Sequence, residues 1–292
     1  MKSPLLVLDS HYLCHRAFHA QSNLSWNGRA TGVIFGFLKG IGPLKDEFRT
    51  DRIAFCFEGT GSLRKEQYPE YKGGVRSKQR SVPEQKAYDA LHSQILQLRT
   101  QYLPKIGFRN IFCFDGLESD DIMASIAKNP ELYGECILVT SDSDLYQCLS
   151  PTCSIFSPQK MKLLTEDWFR REYGIRPSKW AVVKAIAGCH TDNVKGVGGV
   201  GESTAIKYVK NLLPHTHKAF WIIQSKRGRE IIRRNKNLVK LPLSCPAIEQ
   251  IFKDDISPQG WKDVCHELGM RSLAGQPPVS SRELLGGGLR NG

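Results

Sequence analysis

Acidic residues follow short apolar runs repeatedly in this sequence. The runs and the acids after them are Leu5–Leu8 with Asp9, Ile53–Phe57 with Glu58, Ile111–Phe114 with Glu118, Asp120 and Asp121, and Ile137–Val139 with Asp142 and Asp144. Because the carboxyl ends of parallel strands form the ligand crevice of an open α/β sheet, we expect these acids to converge. Clustered carboxylates raise each other's pKa unless cations neutralise them. A ligand set made only of oxygen atoms favours Mg²⁺ or Mn²⁺. Together with Asp192, these carboxylates are numerous enough to bind two ions about 4 Å apart, which is the spacing used to cleave phosphodiesters.

Each acid taken alone also has a purely structural interpretation. Asp9 could be a turn residue, and the acids at 118–121 could be favoured by a helix dipole. Asp142 and Asp144 could cap a turn, since Asp is common at such positions. The repetition of the strand-to-acid pattern nevertheless favours a metal site.

The composition indicates a globular protein with a polyanionic partner. Of the 292 residues, 40% are hydrophobic and 24% are charged, which excludes a mainly disordered chain. The 41 Lys and Arg exceed the 29 Asp and Glu by 12. Because these bases cluster, the surplus favours nucleic acid over a charge that only aids solubility.

Several other classes of protein are disfavoured. No run approaches the roughly 18 apolar residues of a membrane helix, and the N-terminus lacks the pattern of a signal peptide. We therefore expect a cytoplasmic protein that does not associate with membranes. The nine cysteines include no Cys-x-x-Cys pair, which argues against a disulfide framework and against a zinc site.

The apolar runs predict the elements that position the acids. They are rich in Val, Ile and Phe, as buried parallel strands are, and helices are predicted between them at 32–44, 84–103 and 120–128. Strands that alternate with helices predict an α/β sheet. We assign 1–165 to this core, with a basic insertion at about 60–100, and 166–272 to a helical region with helices at 165–174, 178–187 and 203–212. Residues 273–292, rich in Gly, Pro and Ser, are predicted to form a flexible tail.

Two segments predict contacts with a nucleic-acid backbone. The insertion interleaves bases with tyrosines, which attract phosphate and stack on nucleobases, although a solvated charged loop is the alternative. The segment 196–201 contains four glycines before a helix and could direct N–H groups at phosphate, although an ordinary turn is the alternative. The bases beside it favour contact with DNA. The candidate DNA-binding residues are Arg64, Tyr71, Lys195, Gly196, Gly199, Gly201 and Lys207.

Four motifs in this order resemble the 5′ nuclease family, which includes flap endonucleases, 5′–3′ exonucleases and the nuclease domain of bacterial DNA polymerase I. The motifs are Tyr68–Gly73, Gly116–Asp121, Thr140–Leu145 and Asp192–Gly201. The resemblance implies a Rossmann-like, PIN-type core with a mostly parallel sheet, a basic arch insertion and a helical C-terminal element with a helix–hairpin–helix-like turn. It further implies a monomer that hydrolyses DNA at 5′ ends or 5′ flaps in replication or repair.

The resemblance also implies roles for single residues. Ligands of the first metal site are matched by Asp9, Glu58, Glu118 and Asp120, and the remaining acidic cluster by Asp121, Asp142, Asp144 and Asp192. Lys72 and Arg76 match catalytic residues at the base of the arch that contact the scissile phosphate. The glycine hairpin matches an element that holds the duplex backbone, often with K⁺.

Two positions depart from the family's pattern. Glu58 stands where the family usually has Asp, so its carboxylate reaches further by one methylene. Cys189 stands where the family has the first acid of a Gly-Asp-x-x-Asp-Asn motif. Because a protonated thiol is a poor Mg²⁺ ligand, we expect a weakened second metal site. His190 could compensate, but a polar role at the end of a helix is the better interpretation.

Two alternative functions stay open. The chain could be a paralogue that binds branched DNA with little or no nuclease activity, a hypothesis motivated by Cys189. It could also be a PIN-type ribonuclease, since such enzymes share the acidic edge of the sheet. The long basic insertion and the glycine hairpin argue against the ribonuclease.

Overall fold

A mostly parallel sheet lies at the centre of the protein, which a computed structural model describes over residues 3–73, 80–246 and 248–278. The strands are β1 (Leu5–Asp9), β2 (Ser25–Trp26), β3 (Arg29–Ala30), β4 (Ile53–Glu58), β5 (Ile111–Phe114), β6 (Cys136–Val139), β7 (Cys153–Ser157), β8 (Lys162–Leu164), β9 (Gly188–Cys189) and β10 (Val194–Lys195). Six of them form the central sheet in the order β5-β4-β1-β6-β7-β8. The five neighbouring strands β5, β4, β1, β6 and β7 run parallel, and β8 pairs with β7 antiparallel. The predicted α/β fold with a mostly parallel sheet is therefore confirmed.

Helices cover the sheet and continue beyond it. They are α1 (Ser10–Gln21), α2 (Gly32–Phe48), α3 (Leu63–Gln67), α4 (Val82–Gln97), α5 (Leu103–Ile106), α6 (Ser119–Ala127), α7 (Pro130–Tyr133), α8 (Glu166–Tyr173), α9 (Trp180–Ala187), α10 (Glu202–Val209), α11 (Lys218–Gln224), α12 (Lys226–Val239) and α13 (Pro258–Glu267). A π-helical turn at Leu98–Tyr102 joins α4 to α5, so the helix predicted over 84–103 continues in a different geometry. No helix among the described residues is long and apolar enough to cross a bilayer.

The strands β1, β4 and β6 in the middle of the sheet are buried on both faces, as their uninterrupted apolar sequences predict. Along β1, Leu5 and Val7 face one hydrophobic cluster, and Leu6 and Leu8 face the other. This alternation follows from the period of two of a strand, which points successive side chains to opposite faces. The next residue, Asp9, is where the strand leaves the core, and it begins α1 as its N-cap.

A helix–hairpin–helix follows the core. Helix α9 ends at Ala187, the short strands β9 and β10 pair antiparallel, and α10 begins after the glycine segment. Helix α12 packs along α9. The amide of buried Asn235 on α12 donates to the carbonyl of Ala185 at 2.9 Å and to that of Lys195 at 3.0 Å. One side chain thus connects α12 to α9 and to the second strand of the hairpin.

The structure differs from the sequence-based expectation in the central sheet and near the C-terminus, among other places. Strands β7 and β8 were not predicted, because they are short and polar residues interrupt them. Within the segment predicted as a flexible tail, Leu273 and Pro278 are buried, and their carbonyls accept hydrogen bonds from Trp261 Nε1 at 2.7 Å and Lys45 Nζ at 2.6 Å. The rest of the predicted tail, 279–292, lies outside the described residues.

Candidate active site at the carboxyl edge of the sheet

Asp9 lies at the centre of the acidic edge. Its Oδ1 accepts hydrogen bonds from the backbone N–H of Tyr12 and the hydroxyl of Ser119, both at 3.1 Å, and its Oδ2 accepts one from Thr140 at 3.0 Å. Burial raises the pKa of Asp9, and the nearby carboxylate of Glu58 raises it further, although the hydrogen bonds oppose the shift. Three elements therefore fix this carboxylate from different directions.

The N-terminus of α6 brings a second group of acids to the same place. Glu118 is the N-cap of α6, and Asp120 lies in its first turn. Burial raises the pKa of Asp120 well above its usual value, and the charges of Asp142, Asp9 and Glu118 add to the shift. Acids from β1, from α6 and from the segment after β6 are thus close enough to repel one another.

Asp142 and Asp144 follow β6 in a short 3₁₀ turn. The backbone N–H of Asp144 donates to Asp142 Oδ1 at 2.7 Å. Loss of solvent within the cleft, with the charges of Asp144, Asp192 and Asp9, raises the pKa of Asp142 to about 7. Such mutual destabilisation is what a divalent cation relieves, and the oxygen donors of Asp9, Asp120 and Asp142 fit a hard cation such as Mg²⁺ or Mn²⁺.

Lys72 reaches into this edge from the segment after α3. Its Nζ lies 2.7 Å from Glu118 Oε1, and its backbone N–H donates to the carbonyl of Asp192 at 2.8 Å. Burial opposes the charge, yet the carboxylates of Glu118, Glu58 and Asp192 raise the pKa of Lys72. A cation therefore sits among the acids where the basic insertion begins. Arg76, the other predicted catalytic residue, lies outside the described residues.

Glu58 ends β4 on the same edge. Its Oε2 lies 3.5 Å from Nε2 of His11 on α1. Because its charge raises the pKa of both Asp9 and Lys72, Glu58 lies within electrostatic reach of the cluster. The longer side chain noted in the sequence therefore does not remove this acid from the site.

A second cluster lies beside the first. The ligand atoms of Asp144, Cys189 and Asp192 all lie within 4.8 Å of one another, which makes this group a candidate metal site. Cys189 is buried, and its thiol donates to Asp192 Oδ2 at 3.3 Å. Burial, together with the charges of Asp144 and Asp192, raises the pKa of Cys189 to about 12, so the thiol is protonated at neutral pH.

Lys184 on α9 was not anticipated as part of this region. Its Nζ lies 3.0 Å from Asp144 Oδ1 and 3.1 Å from the hydroxyl of Ser143. The side chain is largely buried, at 11% exposed. In the sequence it is one lysine in an apolar helix, a pattern that gives no signal of a role at a site.

Three predicted roles are corrected by the structure. Asp121 is fully buried, and both of its oxygens accept from Arg64, at 2.5 and 2.7 Å, so it is occupied as a structural partner rather than open to a metal. Arg64 is itself 2% exposed and cannot reach DNA. Tyr71 is 3% exposed and donates its hydroxyl to Glu118 Oε2 at 3.0 Å, so its ring cannot stack on a base. Sequence alone does not indicate this burial, because basic and aromatic residues in a segment without apolar periodicity are typical of an exposed surface.

The predicted DNA-binding residues of the hairpin and of α10 follow Asp192 in the helical region. Lys195 and Lys207 are exposed, as are Gly199 and Gly201, whereas Gly196 is partly buried. A cavity of about 560 Å³ adjoins the hairpin between Lys195–Gly198 and the start of α12, and Arg227 and Arg234 line it. The exposed bases of α12 are Lys226, Arg227, Arg229, Arg233, Arg234 and Lys236.

Comparison with known proteins places this geometry in a family. Residues 4–174 match the family model described as 5′–3′ exonuclease, N-terminal resolvase-like domain. A thermostable DNA polymerase I from Thermus aquaticus is 34% identical over 213 residues, which are 72% of this chain and 24% of the polymerase. A 5′–3′ exonuclease from Buchnera aphidicola is 29% identical over 208 residues, covering 70% of this chain and 69% of that protein. The chain thus spans about a quarter of the length of the polymerase it matches.

Solved structures show the same fold. T5 5′-exonuclease with zinc bound has a TM-score of 0.70 at 23% identity, over 82% of this chain and 90% of that one. A T5 flap endonuclease in complex with DNA and metal ions has a TM-score of 0.69 at 20% identity, over 94% of this chain and all of that one. The predicted fold class is confirmed by these likenesses.

Proposed function

This chain belongs to the 5′–3′ exonuclease family, and we propose that it is a divalent-metal-dependent nuclease that hydrolyses DNA at 5′ ends and 5′ flaps in replication or repair. The observation that carries the proposal is the convergence of Asp9, Asp120 and Asp142, each with a raised pKa, at one edge of the sheet. A site in which burial and neighbouring charges disfavour ionised carboxylates is suited to binding cations, which neutralise those charges.

The oxygen donors suit Mg²⁺ or Mn²⁺, which when bound supplies an activated water and stabilises charge on the phosphate. Asp9, Glu58, Glu118, Asp120 and Asp142 would hold the first ion. Ser119 and Thr140 orient the Asp9 carboxylate by donating to both of its oxygens. The second ion would be held by Asp144 and Asp192 and more weakly than in relatives, because the protonated Cys189 thiol replaces a carboxylate.

Lys72 would be the catalytic residue at the base of the insertion. Its ammonium is charged at every working pH, because the neighbouring carboxylates raise its pKa. A cation beside the acids attracts the scissile phosphate and stabilises charge that develops on it. Arg76 would act with it from the segment that follows.

The helix–hairpin–helix would hold the duplex through its backbone. The N–H groups of the glycine segment, with Lys195 and Lys207, would contact phosphates, and K⁺ bound to hairpin carbonyls would reinforce them. Gly199 and Gly201 leave the backbone open to a close approach, since a Cβ at either would contact nothing within 4 Å. The exposed bases of α12 extend this surface and make binding sensitive to salt.

A second candidate function is favoured by Cys189. If the second ion is required for turnover, the protonated thiol would leave a protein that binds branched DNA with little cleavage. The substitution Cys189→Asp would then switch cleavage on. The two candidates differ only in whether the unmodified protein turns over.

The proposal is tested with a 5′-flap substrate labelled at its 5′ end, incubated with increasing Mg²⁺ or Mn²⁺. We expect cleavage by the wild type, and its loss in Asp120→Asn with duplex binding retained. Glu131→Gln, an acid on α7 outside the cluster, serves as the matched control and should cleave normally. No cleavage by the wild type in either metal would refute the nuclease, and a preference for an RNA flap over a DNA flap would favour the ribonuclease.

A further inference from the structure

Arg64 and Asp121 form a buried ion pair directly behind the acidic edge. The guanidinium donates from NH1 to Asp121 Oδ2 at 2.5 Å and from NH2 to Asp121 Oδ1 at 2.7 Å. Its Nε donates to the carbonyl of Leu238 at 2.8 Å, and the N–H of Leu243 donates to Asp121 Oδ1 at 2.7 Å. The pair therefore joins α3, the first turn of α6 and the chain that leaves α12.

The same guanidinium faces a predicted metal ligand. NH1 of Arg64 lies 3.8 Å from Glu118 Oε2, the oxygen that also accepts from Tyr71 at 3.0 Å. The other oxygen of Glu118 lies 2.7 Å from Lys72 Nζ. Glu118 is thus held by one cation behind it, one hydroxyl beside it and one cation from the start of the insertion.

We propose that Arg64 is a positioning residue for the nuclease reaction: with Asp121 it fixes the Glu118 carboxylate and, through it, the Lys72 ammonium at the metal-binding edge. The inference rests on the proposed function and deepens it. Because Arg64 has its planar fork occupied by Asp121 and its Nε by a backbone carbonyl, it has one orientation available. A rigid support of this kind keeps a metal ligand in its binding geometry.

A single substitution of Arg64 would confuse positioning with folding, because it leaves a buried, unpaired carboxylate. Replacing both partners by apolar residues of similar size removes the charges together and is often close to neutral for stability. The test therefore uses the double variant Arg64→Met/Asp121→Leu. A matched control is Lys105→Met, which removes an exposed ion pair with Glu267, 2.8 Å long, away from the acidic edge.

Mn²⁺ binding is measured by calorimetry without DNA, and kcat and KM are measured on the flap substrate. We expect the double variant to melt cooperatively, to keep its duplex affinity, and to lose Mn²⁺ affinity and kcat by about 10- to 100-fold. The control should match the wild type in every measurement. If the double variant does not fold, Arg64→Lys, which keeps the charge and loses the bidentate contact, should show the same losses to a smaller degree.

A further variant separates positioning of Glu118 from any direct role of Asp121. In a Glu118→Gln background, removing the Arg64–Asp121 pair should change Mn²⁺ affinity by less than about twofold, because the ligand it positions is already lost. Unchanged Mn²⁺ affinity and kcat in the folded double variant, or in Arg64→Lys, would overturn the inference. So would a full additional loss in the Glu118→Gln background. Failure of the wild type to cleave would instead refute the proposed function.

Discussion

Three glycines in the hairpin allow the DNA-binding proposal to be tested by replacing one hydrogen with a methyl group. A Cβ at Gly196 would lie 2.2 Å from the carbonyl oxygen of Ala187 and 2.6 Å from that of Ile186. These are backbone atoms at the end of α9, so they cannot rotate away. The substitution Gly196→Ala must therefore push the hairpin from the helix, which also breaks the 2.8 Å hydrogen bond from Val197 N–H to Ile186.

The two neighbouring glycines provide controls with different expected costs. A Cβ at Gly198 would contact nothing within 4 Å, and its backbone lies outside the left-handed region. Gly198→Ala should therefore be neutral or stabilise by about 0.5 kcal/mol, since it restricts the unfolded chain. Gly199 has the same free space but a φ of +75°, so its alanine variant should cost about 1–2 kcal/mol.

For Gly196→Ala we expect a loss of about 3 kcal/mol, at the upper end of the range for an overpacked site. The free energy of unfolding is measured by urea titration, and duplex affinity by fluorescence anisotropy at fixed salt. The displaced hairpin should also lose at least one hydrogen bond to phosphate, which corresponds to about tenfold in affinity. If Gly196→Ala were as stable as Gly198→Ala and bound duplex equally well, the geometry of the hairpin and its role would both be refuted.

The remaining predictions concern metal use and pH. Asp120→Asn should reduce flap cleavage by at least about 100-fold while duplex affinity, measured by anisotropy, stays within about twofold. Cys189→Asp should lower the Mg²⁺ concentration that gives half-maximal cleavage, and Cys189→Ser, which adds no charge, should leave it unchanged. Burial raises the pKa of Asp254 to about 6, above its unfolded value of 3.8. Its ionisation therefore destabilises the fold above pH 6, and this cost disappears as the pH falls toward 4. Asp254→Asn should then raise the melting temperature at pH 8 and leave it unchanged near pH 4; equal effects at both would contradict the shifted pKa.

The core of the fold was predictable because its signal is local. Each central strand is a short apolar run buried on both faces, and the acid that follows marks where the chain leaves the core. The apolar run Leu5–Leu8 therefore predicts the strand, and Asp9 directly after it predicts the end of the strand that contributes to the site. The strand Lys162–Leu164 lacks this signal, because it is only three residues long and begins with a lysine.

The individual roles around the site were less predictable, because charge alone does not show which partner a side chain takes. Arg64 and Lys72 lie eight residues apart in the same basic stretch, yet the structure buries Arg64 behind the site and places Lys72 within it. That outcome depends on Asp121 and Glu118, which are distant in sequence. Nothing in the sequence around Tyr71 distinguishes it from an exposed aromatic residue, and in the structure its hydroxyl donates to Glu118.

The basic residues divide the acids of this edge into two groups. Lys72 pairs with Glu118, Arg64 with Asp121 and Lys184 with Asp144, so three carboxylates already have a cation from the chain. In contrast, the hydrogen-bond donors to Asp9 are two hydroxyls and a backbone N–H, and the charge of Asp9 raises the pKa of both Asp120 and Asp142. A bound divalent ion would gain most from this second group, and Glu118 would be a weaker ligand of the same ion, because its Oε1 already contacts Lys72 Nζ. The charge pattern thus favours binding of the first ion at Asp9, Asp120 and Asp142. Cys189 and Lys184 both weaken binding of a second ion at the neighbouring cluster, because the first lacks a negative charge and the second adds a positive one.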